Sequence, residues 1–101
     1  MVKAAAMKKR YILFEYSGSS VTEPDLKKFL YSEALKFFGE YGLSFAGLKL
    51  MEYDEKKKIG IIRCERSHLD QSLGFLALAT IARGRVVSKK SSGTIASLKS
   101  A

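Results

Sequence analysis

The sequence predicts an α+β domain, a two-layer sandwich of order β-α-β-β-α-β, on three observations. Two segments, residues 22–42 and 67–82, carry apolar residues at helical spacing. Four others, at 9–16, 44–54, 56–66 and 84–90, are apolar runs rich in β-branched and aromatic residues. A chain of 101 residues, 47% of them hydrophobic, buries enough surface for one such core without disulfide or metal staples.

The first strand is "KRYILFEY" (9–16), in which Ile12, Phe14 and Tyr16 alternate with Tyr11, Leu13 and Glu15. "SGSS" breaks the chain after it. The helix over 22–42 starts with Thr22 as cap, Asp25 three residues on and Pro24 in the first turn, and Gly42 suits its stop. Leu26, Leu30, Ala34, Phe37, Phe38 and Tyr41 make its buried stripe. "SFAGLKLMEYD" and "KKKIGIIRCER" read as two strands joined near Asp54 and Glu55 by a short hairpin. In "SHLDQSLGFLALATIA" (67–82) Ser67 is the expected N-cap, with Asp70 at the capping-box position. "GRVVSKK" (84–90) is the last strand, and "SGTIASLKS" adds a short helical turn. Residues 1–7 read as a flexible N-terminal arm, with 1–6 ("MVKAAA") alternatively placed ahead of a native start at Met7, and 8–101 as one domain.

Right-handed crossovers with both helices on one face turn this order into a ferredoxin-like, RRM-like arrangement with an antiparallel sheet of order 4-1-3-2. The first and last strands are then antiparallel neighbours, which matters for charge. The net charge is +8, and residues 15–70 hold nine basic and ten acidic side chains, so the excess lies at the two ends. The topology brings those ends together. Lys8, Lys9 and Arg10 at the start of the first strand, with Arg85, Lys89 and Lys90 on the last, form one basic patch suited to an anionic partner.

The single cysteine, Cys64, and the single histidine, His68, stand close together in "IGIIRCERSHLD" (59–70). A zinc site needs three or four ligands and a nucleophilic pair needs an oriented third group, so neither is expected. Cys64 reads as a small apolar filler at a strand end and His68 as an exposed first-turn residue. No carboxylates pair as an acid/base couple, and the glycines match neither a P-loop nor a dinucleotide fingerprint. "SSGTI" (91–95) reads first as a turn and N-cap, with backbone N–H groups that could meet a phosphate. No catalytic, metal-binding or cofactor-binding residue of the protein's own is expected. One cysteine, no secretory signal and no apolar run of about 18 residues point to a cytoplasmic protein away from membranes.

Two surfaces suggest binding. "LGFLALATIA" (73–82) carries no charge; with Leu69, Leu73, Leu76, Ala77 and Thr80 turned to the sheet, Phe75, Leu78 and Ala82 remain outside as an expected protein interface. The open face of the sheet could hold Tyr11, Phe45 and Tyr53. The third strand has no aromatic, so RNA is expected to be held through backbone contacts to Lys and Arg rather than by stacking in the RNA-recognition-motif manner.

"KKRYILFEY", "GLKLMEYD", "IGIIRCERSHLD" and the terminal "SGTI" occur in an order and spacing that resembles the archaeal ribonuclease P protein component 2 family, from about Lys8 to Lys99. The resemblance implies a small ferredoxin-like subunit of a ribozyme that removes the 5′ leader from precursor tRNA, the RNA using Mg²⁺ and the protein supplying no catalytic group. It implies as partners the ribonuclease P RNA, precursor tRNA through the holoenzyme, the TIM-barrel-like protein component 3, and a second copy in a two-plus-two assembly. Three other readings compete. A dimeric ferredoxin-like regulatory module that binds a small ligand explains the apolar helix but not the basic ends. A stand-alone RNA-binding module needs no protein partner. An acylphosphatase-type enzyme needs an asparagine, and the chain has none.

Overall fold

A computed structural model describes residues 9–81 and 83–99. Its elements are β1 (Lys9–Ser17), α1 (Glu23–Ala46), β2 (Lys49–Asp54), β3 (Ile59–Glu65), α2 (Leu69–Leu78), β4 (Thr80–Ile81), β5 (Gly84–Ser92) and α3 (Ile95–Lys99). They build an α+β fold on one antiparallel, curled sheet of order β2-β3-β1-β5-β4. Ile12, Phe14 and Tyr16 of β1 and Ile62 and Cys64 of β3 face Leu26, Leu30 and Ala34 of α1 and Phe75 and Leu76 of α2 in the main core. On the other side Ile61 and Leu98 are buried outside that cluster, and α3 packs on β1 and β5.

The alternation in β1 and the cap of α1 are as expected, since Asp25 N–H donates to Thr22 Oγ1 at 3.3 Å. The end of α1 differs. Gly39 (φ 75°, ψ 165°) interrupts the helix, a conformation open only to glycine, and a second segment runs on to Ala46. Gly47 closes it, its N–H donating to Leu43 O at 3.1 Å. The break re-aims the residues beyond it. Leu43 packs on the core and Ala46 is buried, whereas Tyr41, placed in the buried stripe by periodicity, is 79% exposed and meets Phe45 edge-on at 5.0 Å. Residues 44–46, read as the start of a strand, belong to this helix.

The second helix is shorter than its periodicity predicts. It opens with a 3₁₀ turn, Arg66–His68, and Ser67 does not cap it; His68 stands at the cap position of α2 and its side chain makes no capping hydrogen bond. Ala79 turns extended, and Thr80 and Ile81 pair with Arg85 and Gly84 as a fifth strand. Two consecutive β-branched residues favour that switch, and burial of Ile81 anchors it. Tyr16 Oη ties the new edge to β1 by donating to Ile81 O at 2.9 Å.

Gly60, opposite Phe14 in the β1–β3 register, allows the ring to lie flat on the strand. A Cβ there would come 2.6 Å from Phe14 Cζ and 2.7 Å from Glu52 O. Phe14 also stacks parallel to Tyr53 at 6.0 Å between ring centroids, so its ring has nowhere to move. Gly60→Ala is therefore expected to destabilise the fold by about 1–3 kcal/mol, measured by denaturant unfolding. An unchanged midpoint would show that the ring is not seated there.

Candidate nucleic-acid interface

The β1–β5 pairing makes the two basic ends neighbours along the sheet, but offset and not on one face: Arg10 shares the face of Ile12 and Cys64, whereas Lys90, opposite Leu13, shares the other face with Lys9 and Tyr11. Tyr11 is opposite Ser92 and Leu13 opposite Lys90, after which a bulge leaves Lys89 as the extra residue before Phe14 meets Ser88. Lys90 therefore lies three residues along β1 from Arg10, roughly 10 Å at the usual strand rise. The arrangement is a strip rather than a set of facing pairs. Lys9 is ion-paired with Glu65, and Lys89 Nζ lies 3.3 Å from Glu15 Oε1. Surface pairs of the second kind contribute little and exchange readily for another anion. Arg10 Nε is buried without a partner among the described residues.

Arg85 stands apart, at the other end of β5 between Ser17 and Thr80. Its Nη2 donates to Ala77 O at 2.8 Å, where a cation suits the C-terminal end of α2. Lys8 lies outside the described residues.

Corrections concern the aromatics. Phe75, expected on the outer side of α2, is 1% exposed. Phe37 and Phe38 lie against it with centroids at 5.4 and 5.8 Å. The exposed apolar lip beside it consists of Leu78 (74% exposed) and Phe37 (48%), over a cleft of about 230 Å³ that Glu33 and Lys36 also line. Ala82 lies outside the described residues. Tyr53 is buried on the helix side with Phe14 and Tyr16, and Phe45 is on α1, which leaves Tyr11 alone of the three aromatics on the open face.

Cys64 is fully buried. Burial pushes its thiol up, partly offset by the Ser72 hydroxyl, so the reactive thiolate is scarce at neutral pH. His68 is half-buried, its Nδ1 3.0 Å from Ser67 Oγ. Among the described residues no group of three His, Cys, Asp or Glu is placed to hold a metal ion, and no helix is long and apolar enough to cross a membrane. Asp54 has a structural role. The N–H groups of Lys57 and Lys56 donate to its Oδ1 at 3.1 and 3.0 Å, which holds its carboxyl below the usual range and shapes the β2–β3 turn. Likewise "SSGTI" forms a turn in which Thr94 N–H donates to Ser92 Oγ.

Sequence reasoning missed two cations. Lys49 of β2 is directly opposite Arg63 of β3, which is opposite Tyr11 of β1. Alternation could have shown that each leaves the core, but the β2–β3 register also depends on an irregularity between Leu50 and Glu52 that composition does not signal.

The family model described as the Rpp14/Pop5 family matches residues 10–101. Ribonuclease P protein component 2 of Pyrococcus abyssi is 35% identical over 96 residues, covering 91% of this chain and 81% of that protein. The proteins of the same name from Pyrococcus furiosus and Thermococcus kodakarensis are 34% and 32% identical, each over 91% of this chain and 80% of their own length.

Proposed function

The chain belongs to the Rpp14/Pop5 family as a ribonuclease P protein subunit supporting 5′ processing of precursor tRNA, and from that premise we propose how it serves the complex. It acts as a non-catalytic cytoplasmic subunit on a ferredoxin-like core. It grips the ribonuclease P RNA through backbone phosphates while the RNA and its Mg²⁺ carry out hydrolysis, and precursor tRNA meets it through the holoenzyme. The observation that carries this reading is the meeting of both basic ends on neighbouring β1 and β5. Lys9, Arg10, Lys89 and Lys90 are the central RNA contacts, Lys8 a further one, and Arg85 a flanking contact at the far end of β5. Ion pairs such as Lys89–Glu15 hold the cations in place until phosphate replaces the carboxylate.

The protein partner is a component 3-type subunit, with self-association giving the two-plus-two assembly. Its seat is the helix side, at Leu78 with the Phe75 ring as the floor of the cleft.

Titrating the cognate ribonuclease P RNA with this chain tests the RNA grip. Affinity is expected to fall with salt along a log–log line whose slope counts phosphate contacts at about 0.7–0.9 each; weak binding with a flat salt response would contradict it. For the partner seat, Leu78→Glu is expected to abolish co-purification with a component 3 subunit while the domain stays folded. Undiminished co-purification would remove that seat.

A further inference from the structure

We propose that Lys49 and Arg63 form a second seat for the RNA backbone, at the β2–β3 side of the sheet and separate from the β1–β5 strip. The inference rests on the RNA-binding reading above and deepens it. Lys49, Arg63, Tyr11 and Ser92 are successive cross-strand partners on β2, β3, β1 and β5. They therefore share one face and one level of the sheet, in a row roughly 14 Å long at the usual strand spacing.

Two features of that row are costly in the protein alone. Like charges directly opposite each other on neighbouring strands repel. Neither Lys49 nor Arg63 has an ion pair among the described residues, and Glu65, two residues from Arg63, is taken by Lys9. The second cost is the Nε of Arg63, buried with no hydrogen-bond partner among those residues. A phosphate diester relieves the repulsion, because it neutralises the paired cations and accepts from their exposed N–H groups.

The surroundings favour a nucleotide chain over a free anion. Lys49 and Arg63 line a groove of about 410 Å³ together with Tyr31 and Ser44 of α1, and Glu40 is the only carboxylate in the lining. Tyr11 on one side and Tyr31 on the other offer aromatic surface next to the cations. Cations interleaved with aromatic rings are how single-stranded RNA is commonly held, by phosphate contacts and stacking together. The row runs through Tyr11 to Ser92, where the β1–β5 strip begins. One strand of RNA can follow both.

The test compares the full chain with K49Q/R63Q, and with K27Q/K28Q as an equal loss of charge from exposed positions of α1, in binding to the cognate ribonuclease P RNA over about 0.05–0.3 M salt. K49Q/R63Q is expected to lower the log–log salt slope by about 1.4–1.8, two contacts' worth, and to weaken binding at least tenfold at the low-salt end. K27Q/K28Q is expected to leave the slope unchanged. The thermal midpoint of K49Q/R63Q should hold or rise, since a repulsion is removed; a purely structural pair would lower it. Should the double variant unfold, Lys49→Gln alone carries the comparison, with an expected slope change of about 0.7–0.9. Equal slopes for the two double variants would overturn the second seat while leaving the subunit assignment intact. Failure of the unmodified chain to bind the RNA would overturn both.

Discussion

Phe75→Ala is expected to lower the stability of this domain by about 3–5 kcal/mol, the usual cost of truncating a fully enclosed phenylalanine. The ring is 1% exposed and is held between the sheet-side core and the rings of Phe37 and Phe38. Its removal leaves a cavity that neighbours on two helices cannot both close. A small domain has about 5–15 kcal/mol in all, so the variant should be partly unfolded at moderate denaturant. Leu78 is three residues away and 74% exposed, and Leu78→Ala is expected to change stability by no more than about 0.5 kcal/mol. Denaturant unfolding of the two variants measures the phase of α2 directly. Equal losses, or a larger loss at Leu78, would mean that the helix is rotated from the orientation described.

Reversing charge at Arg10, Lys89 and Lys90 together is the second large effect. If each contacts one phosphate, the triple Glu variant loses about 2 to 3 from the log–log salt slope. Its affinity for the ribonuclease P RNA at about 0.15 M salt should fall on the order of a hundredfold, because repulsion replaces attraction. Lys89 and Lys90 are exposed but Arg10 is half-buried, so the circular dichroism spectrum is recorded alongside, and Lys89 and Lys90 reversed alone, with a slope loss of about 1.4–1.8, carry the comparison should the triple variant unfold. The same three reversals at Lys27, Lys28 and Lys56, all exposed and away from β1 and β5, should have a much smaller effect. Equal losses from both sets would reduce the strip to a share of the net charge.

The reach of the sequence can be judged residue by residue. Ile12, Phe14 and Tyr16 were readable as one face of β1 because a period of two puts them on the same side. The Thr22 cap was readable because its chemistry is local, and so was the neighbourhood of β1 and β5, which follows from handedness. "LGFLALATIA" was harder. A run apolar on every side carries no helical phase, so nothing in it says whether Phe75 or Leu78 faces inward, nor that Thr80 and Ile81 leave the helix for a strand. Gly42 reads as the stop of α1, whereas the break at Gly39 and the cap at Gly47 depend on how the chain beyond packs. The offset of Lys90 from Arg10 and the Lys49–Arg63 pair depend on register across irregular pairings, which are set by tertiary packing. The site was therefore legible in composition and location, and illegible in the spacing of its charges.

The central claim is that this chain supports cleavage carried out by RNA. Its most direct test is release of the 5′ leader from precursor tRNA by the cognate ribonuclease P RNA at moderate Mg²⁺, with a component 3 subunit present throughout and this chain added or omitted. The account predicts a clear rise in cleavage at the mature 5′ end that requires this chain, and that the triple reversal at Arg10, Lys89 and Lys90 loses at limiting protein. The same rate with and without the folded chain, on an RNA shown to be competent at high Mg²⁺, would contradict it.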